Sequence, residues 1–196
     1  LCKNTTGASN VALGRYALTA NTTADNNVAI GRSSLSVNTT GNSNVAVGKD
    51  SSGSSTTASD NTAIGFCALK SGTTGGANVA LGTCSLKSNT TGVHNVAVGK
   101  DALEANTTAS CNTAVGKDSL AANTTGCRNV AVGAGALKTN TTGDANVAIG
   151  REALGVATTA DNNTSVGFDS LQANTTGSEN TALGVNSSFS NTTGTC

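Results

Sequence analysis

The sequence predicts an all-β fold: a parallel β-solenoid (β-helix or β-roll) of about 11.5 coils, 17 residues per coil, filling residues 1–196 as a single repeat domain. Three observations predict it. A Thr-Thr pair returns at a constant interval of 17 from Thr5-Thr6 to Thr192-Thr193, with no insertion or deletion. A fixed period of this size marks a solenoid or an array. Each period carries a short β-branched run bounded by glycine, as in Asn44-Val45-Ala46-Val47-Gly48. Charged residues make up only 11% of the chain, against about 25% in ordinary globular domains, and they keep to a few places of the period.

Counted from the residue before the Thr pair, the consensus over the 17 places is N-T-T-G-x-x-N-V-A-V-G-x-x-A-L-x-x. A weaker period of 51 residues joins STTASDNTAIG at 55, NTTASCNTAVG at 106 and ATTADNNTSVG at 157, which suggests duplication of three-repeat blocks.

In an extended segment one Thr of the pair faces in and the other out. The first Thr is placed inward, with the second Thr and the preceding Asn outward, because that Asn place tolerates Ser55, Gly72 and Ala157. The fourth place, Gly or Ala, and the eleventh, always Gly, suit tight bends. The seventh place is Asn in every complete copy: Asn10, Asn27, Asn44, Asn61, Asn78, Asn95, Asn112, Asn129, Asn146, Asn163 and Asn180. Amides stacked in this way form a hydrogen-bonded ladder. Within the run at places seven to eleven, side chains alternate. The apolar eighth and tenth places are assigned to the core, and the Asn, Ala and Gly of the seventh, ninth and eleventh to the opposite, flat side. Leu at the fifteenth place, replaced only by Ser52 and Ser188, joins the core, with the small fourteenth place beside it. Charges occur only at places five, six, twelve, thirteen, sixteen and seventeen, so three corners face solvent. Parallel stacking at about 4.8 Å per coil makes a rod on the order of 55 Å long.

Net charge is zero, which offers no basic footprint for nucleic acid or for a membrane surface. No apolar run approaches the roughly 20 residues of a membrane-spanning helix. The chain starts at Leu1 without a signal-like segment, so a targeting peptide is expected to be absent or already removed.

The phrase N-V-A-[VIL]-G-x-x-[AS]-L resembles the head repeats of trimeric autotransporter adhesins. It resembles still more the NTTG-x-x-N-T-A-x-G-x-x-A-L repeats of phage tail-fibre-like and bacterial surface proteins. The resemblance covers residues 1–196 and implies extracellular fibres, often trimeric.

Six cysteines are present. Cys67 and Cys84 share the thirteenth place one coil apart, and Cys111 and Cys127 occupy neighbouring places of successive coils. Both pairs are expected within the roughly 4.4–6.8 Å Cα window of a disulfide, so Cys67–Cys84 and Cys111–Cys127 bonds are predicted, in an oxidising setting. Cys2 and Cys196 lie at opposite ends. The eight places missing between the two ends complete twelve periods of 17, so an intersubunit Cys196–Cys2 bond in a head-to-tail polymer is expected. One histidine and no Cys-x-x-Cys argue against a metal site, and no cofactor is expected.

No residue set suggests catalysis. His94 sits alone on a variable corner. Gly116-Lys117-Asp118-Ser119 lacks the upstream glycine of a phosphate loop, where Cys111 stands. Asp50, Asp101, Asp118, Glu152 and Asp169 share the thirteenth place. They read as a solvated corner paired with neighbouring Lys and Arg, the alternative being Ca²⁺. Asn-Thr-Thr is also an N-glycosylation acceptor, at Asn4, Asn21, Asn38, Asn89, Asn106, Asn123, Asn140, Asn174 and Asn191, although ladder bonding explains the same residues.

The favoured function is a structural subunit of an extracellular fibre or adhesin, secreted or on a cell or virion surface. It polymerises with itself end to end through coil stacking and the terminal cysteines, and bundles or trimerises through the flat Asn-Ala-Gly side. The alternatives are an ice-binding solenoid using an Asn-x-Thr face and a phage receptor-binding shaft, with ice or surface glycans as partners.

Overall fold

The computed structural model describes residues 1–195. Eleven strands of three residues each, from β1 (Val11–Leu13) and β2 (Val28–Ile30) through β6 (Val96–Val98) to β11 (Thr181–Leu183), form one parallel sheet in sequence order. Each residue pairs with the one 17 positions on, as Val11 with Val28 and Leu13 with Ile30. The chain is a β-solenoid making ten turns from first strand to last. The strands span places eight to ten, shorter than the five-residue run the pattern suggests.

The remaining sides have no regular strand, yet they are bonded coil to coil. In the coil containing β6, Thr90 N–H donates to Thr107 O at 2.8 Å, Leu103 N–H to Ser119 O at 3.0 Å and Ala105 N–H to Ala121 O at 3.0 Å. Gly99 and Asp101 donate backward, to Leu81 O at 2.8 Å and Thr83 O at 3.0 Å. Each coil thus bonds the coils on both sides around most of its circumference, which satisfies backbone groups that a lone coil would leave open.

The corners are made by left-handed backbone. The sixth, thirteenth and fifteenth places all have positive φ, as at His94 (57°), Asp101 (58°) and Leu103 (51°). Asn, Asp and Ser are at home there at the first two, but Leu at the third is unusual. The strain costs roughly 1–2 kcal/mol. Full burial of a leucine returns about 1.5–3 kcal/mol, so the Leu column holds the conformation.

The eleventh-place glycine meets two demands. Gly99 has φ of 131°, and a Cβ on it would lie 2.6 Å from Gly116 O and 2.7 Å from Gly116 C. The bend therefore needs glycine for its own conformation and for the backbone of the next coil.

The interior is inverted relative to the sequence expectation. The ninth-place alanines (Ala29 to Ala148), the fifteenth-place leucines (Leu18 to Leu171) and the small fourteenth-place residues are buried. The seventh-place Asn column is buried with them, Asn27 to Asn163 being almost entirely inaccessible. The eighth and tenth places, assigned to the core from their hydrophobicity, face outward: Leu81 is 43% exposed and Ile149 40%. Side chains alternate along the strand as expected, but in the opposite sense. The coil is too thin to hold two branched columns. An Ala column leaves room for the Leu column opposite, and Asn is drawn inward by the carbonyls of the turns.

Candidate functional site

Two Asn columns run through the interior. In the seventh-place column, Asn95 N–H donates to Asn78 Oδ1 at 2.9 Å, and Asn95 Nδ2 donates to Ala109 O of the next coil at 2.9 Å. The same pattern recurs from Asn27, whose Nδ2 donates to Gly41 O at 2.9 Å, to Asn180, whose Nδ2 donates to Gly194 O at 2.7 Å. Each amide ties three coils together. The predicted Asn ladder is present, but it lies inside.

The first-place Asn, expected outside, forms the second buried column. Asn106 Nδ2 donates to Asn89 Oδ1 at 2.9 Å and to Ala109 O at 3.1 Å. Tolerance of Ser55, Gly72 and Ala157 reflects a narrow slot rather than exposure. The Thr pair behaves as expected: the first is half-buried, with Thr90 Oγ1 donating to Thr107 O at 3.0 Å, and the second is exposed. Among the acceptor sites for N-glycans, Asn21, Asn38, Asn89, Asn106, Asn123, Asn140 and Asn174 are buried, leaving no room for a glycan in the folded coil. Asn4 is exposed and Asn191 half-buried. Burial of both Asn columns also removes the Asn-x-Thr face required by the ice-binding reading; one exposed Thr column remains.

The predicted disulfides are not formed: Cys2, Cys67, Cys84, Cys111 and Cys127 are free thiols. Cys127 Sγ instead accepts from Ser110 N–H at 3.5 Å and sits 3.4 Å from Thr125 O. It thereby acts like the other fifth-place side chains, such as Asp144 Oδ1, which accepts Cys127 N–H at 2.6 Å. This capping of an N–H one coil below is a role that sequence reasoning missed. Cys111 projects from the exposed left-handed corner. Cys196, and with it the Cys196–Cys2 bond, lies outside the described residues.

The thirteenth-place carboxylates form ion pairs with their neighbours, Lys100 Nζ to Asp101 Oδ2 at 2.7 Å and Lys117 Nζ to Asp118 Oδ2 at 3.1 Å. His94 is exposed. The Glu104 hydrogen bond to Lys87, 3.0 Å, raises the lysine above its ordinary value, and burial pushes the Cys84 thiol up. Among the described residues there is no cavity or cleft.

A further unassigned surface is the outer face of the sheet. Its two columns run Val11, Val28, Val45, Thr62, Val79, Val96, Thr113, Val130, Val147, Thr164, Thr181 and Leu13, Ile30, Val47, Ile64, Leu81, Val98, Val115, Val132, Ile149, Val166, Leu183. No charge interrupts either column. Phe66 and Phe168, each 5.3 Å under the cation of Lys49 or Arg151, extend the face at its twelfth-place edge. Comparison with protein families, with curated proteins and with solved structures finds no match, so the geometry alone carries the functional reading.

Proposed function

We propose that this chain is a non-enzymatic structural subunit of an extracellular fibre, and that its rods associate side by side with further copies through the outer sheet face. The observation that carries this reading is the uncharged, largely apolar strip along all eleven strands, interrupted only by Thr62, Thr113, Thr164 and Thr181. Eleven strands at about 4.8 Å spacing give a strip of roughly 50 Å, and three residues per strand make it about 10 Å wide, so it offers on the order of 500 Å². That is at the upper end of the patches usually left exposed on a monomer and below the roughly 800 Å² per partner of a stable interface, so association through it is expected to depend on concentration.

A second copy is the occupant that fits best. Its strip has the same pitch, the same flatness and the same lack of charge, so no buried carboxylate or ammonium opposes contact. Continued coil stacking would extend such bundles lengthwise, because in-register parallel pairing repeats identically from coil to coil.

Electron microscopy of the native protein at rising concentration tests this reading. Rods paired or bundled along their length are expected. Isolated single rods at every concentration would refute it.

A further inference from the structure

We propose that Cys84, Asp101 and Glu104, completed by solvent, form a binding site for a thiophilic divalent cation of the zinc class. It is independent of the fibre reading, and lies on a corner rather than on the apolar strip.

The site is built by the stacking. Cys67, Cys84 and Asp101 occupy the thirteenth place of three successive coils, with φ of 55°, 58° and 58°, so their side chains leave the corner in the same direction. Glu104 follows three residues later on the third coil. The Sγ of Cys84 and a carboxylate oxygen each from Asp101 and Glu104 all lie within 4.8 Å of one another, the only such group among the described residues. Cys84 is half-exposed, so solvent can supply the fourth donor at this corner.

The donor set selects the cation. One sulfur and two carboxylate oxygens, with a solvent oxygen in the fourth position, suit four-coordinate Zn²⁺, with bonds of about 2.3 Å to sulfur and about 2.0–2.2 Å to oxygen. Ca²⁺ and Mg²⁺ need six or more oxygen donors, and thiolates favour the softer ions. The three donor atoms must close by roughly 1 Å to reach a tetrahedral edge, a side-chain rotation at a half-exposed corner. Lys87 holds Glu104 Oε1 at 3.0 Å and Lys100 holds Asp101 Oδ2 at 2.7 Å, and each carboxylate keeps a second oxygen for the metal. The two ammonium groups orient the ligands from outside and offset the negative charge left by three anionic donors around one dication. Binding releases the Cys84 thiol proton to solvent. The absence of Cys-x-x-Cys hid the site, because its ligands are adjacent down a column and 17 residues apart along the chain.

The test is titration of the fully reduced native chain with Cd²⁺, followed by the ultraviolet thiolate-to-metal charge-transfer band, with Zn²⁺ as competitor. The band should saturate at one Cd²⁺ per chain and be displaced by Zn²⁺. Cys84→Ser should abolish it; Ser33 already stands at the same place, so this variant folds. Glu104→Gln should weaken binding at least tenfold, whereas Cys111→Ser and Cys127→Ser should leave it unchanged. No saturable band, or a band surviving Cys84→Ser, would overturn the proposal.

Discussion

Ala157 interrupts the first-place Asn column, and the Asn one coil back has an open acceptor. Asn140 Nδ2 is satisfied by Asn123 Oδ1 at 2.9 Å and Gly143 O at 3.0 Å, but Asn140 Oδ1 is buried without a partner. The donor that would serve it belongs to the residue at position 157. Ala157→Asn should supply that donor. The geometry already exists where Asn106 stands beside the fourth-place Ala109, and the new amide would stand in the same way beside Ala160. Two new buried hydrogen bonds contribute about 1 kcal/mol each and relieve an unsatisfied acceptor. Fixing the amide side chain costs on the order of 1 kcal/mol. The net gain is about 1–2 kcal/mol. At about 2–4 °C per kcal/mol for a chain of this size, Tm should rise by roughly 2–8 °C. Thermal melts should be joined by hydrogen exchange across residues 140–174, because stability in a repeat rod is partly local. An unchanged or lower Tm, with no added protection there, would refute the claim that this column is a stabilising ladder.

Ser52 stands where other coils bury Leu, with its Oγ enclosed and unpartnered. Ser52→Leu should therefore stabilise the rod by about 1–3 kcal/mol in urea denaturation, the value of a buried leucine side chain. Gly99→Ala adds a Cβ against Gly116 backbone at a φ of 131°, so at least about 3 kcal/mol should be lost, read as proteolysis between residues 82 and 116. Stability should fall as pH rises beyond about 9. Burial holds the folded Cys84 thiol above its ordinary 9.0, and Glu104 holds Lys87 above its ordinary 10.5, so the unfolded chain releases these protons first. Cys84→Ser should remove the thiol part of that slope in denaturation curves taken from about pH 8 to pH 11.

The period, the parallel register and the corners could be read from the sequence because they follow from spacing. Thr5 to Thr192 fix the coil length, and the confinement of Lys, Arg, Asp and Glu fixes the corners. Side-chain direction could not be read, because hydrophobicity misleads when the interior is too thin to hold branched side chains. Val96 and Val98 look like core and face outward, while Ala97 and Asn95 look like surface and are buried. The decisive clue was size: a column that never exceeds Ala beside a column that is almost always Leu describes a thin interior. The left-handed fifteenth-place leucines left no sequence signal, since Leu normally avoids that conformation. The sulfur–carboxylate group was missed for a related reason: metal-ligand spacing is sought along the chain, and here it runs down the stack.

The most direct measurement is sedimentation equilibrium of the reduced native chain beside Val98→Lys/Val115→Lys, which places two cations in the middle of the outer strip. Both side chains are half-exposed in the single rod, so the variant should keep its far-ultraviolet spectrum. The native chain should sediment at a multiple of 19.0 kDa, and the variant at 19.0 kDa. A native chain that stays monomeric at high concentration, or a variant that associates as strongly as the native chain, would contradict assembly through this face.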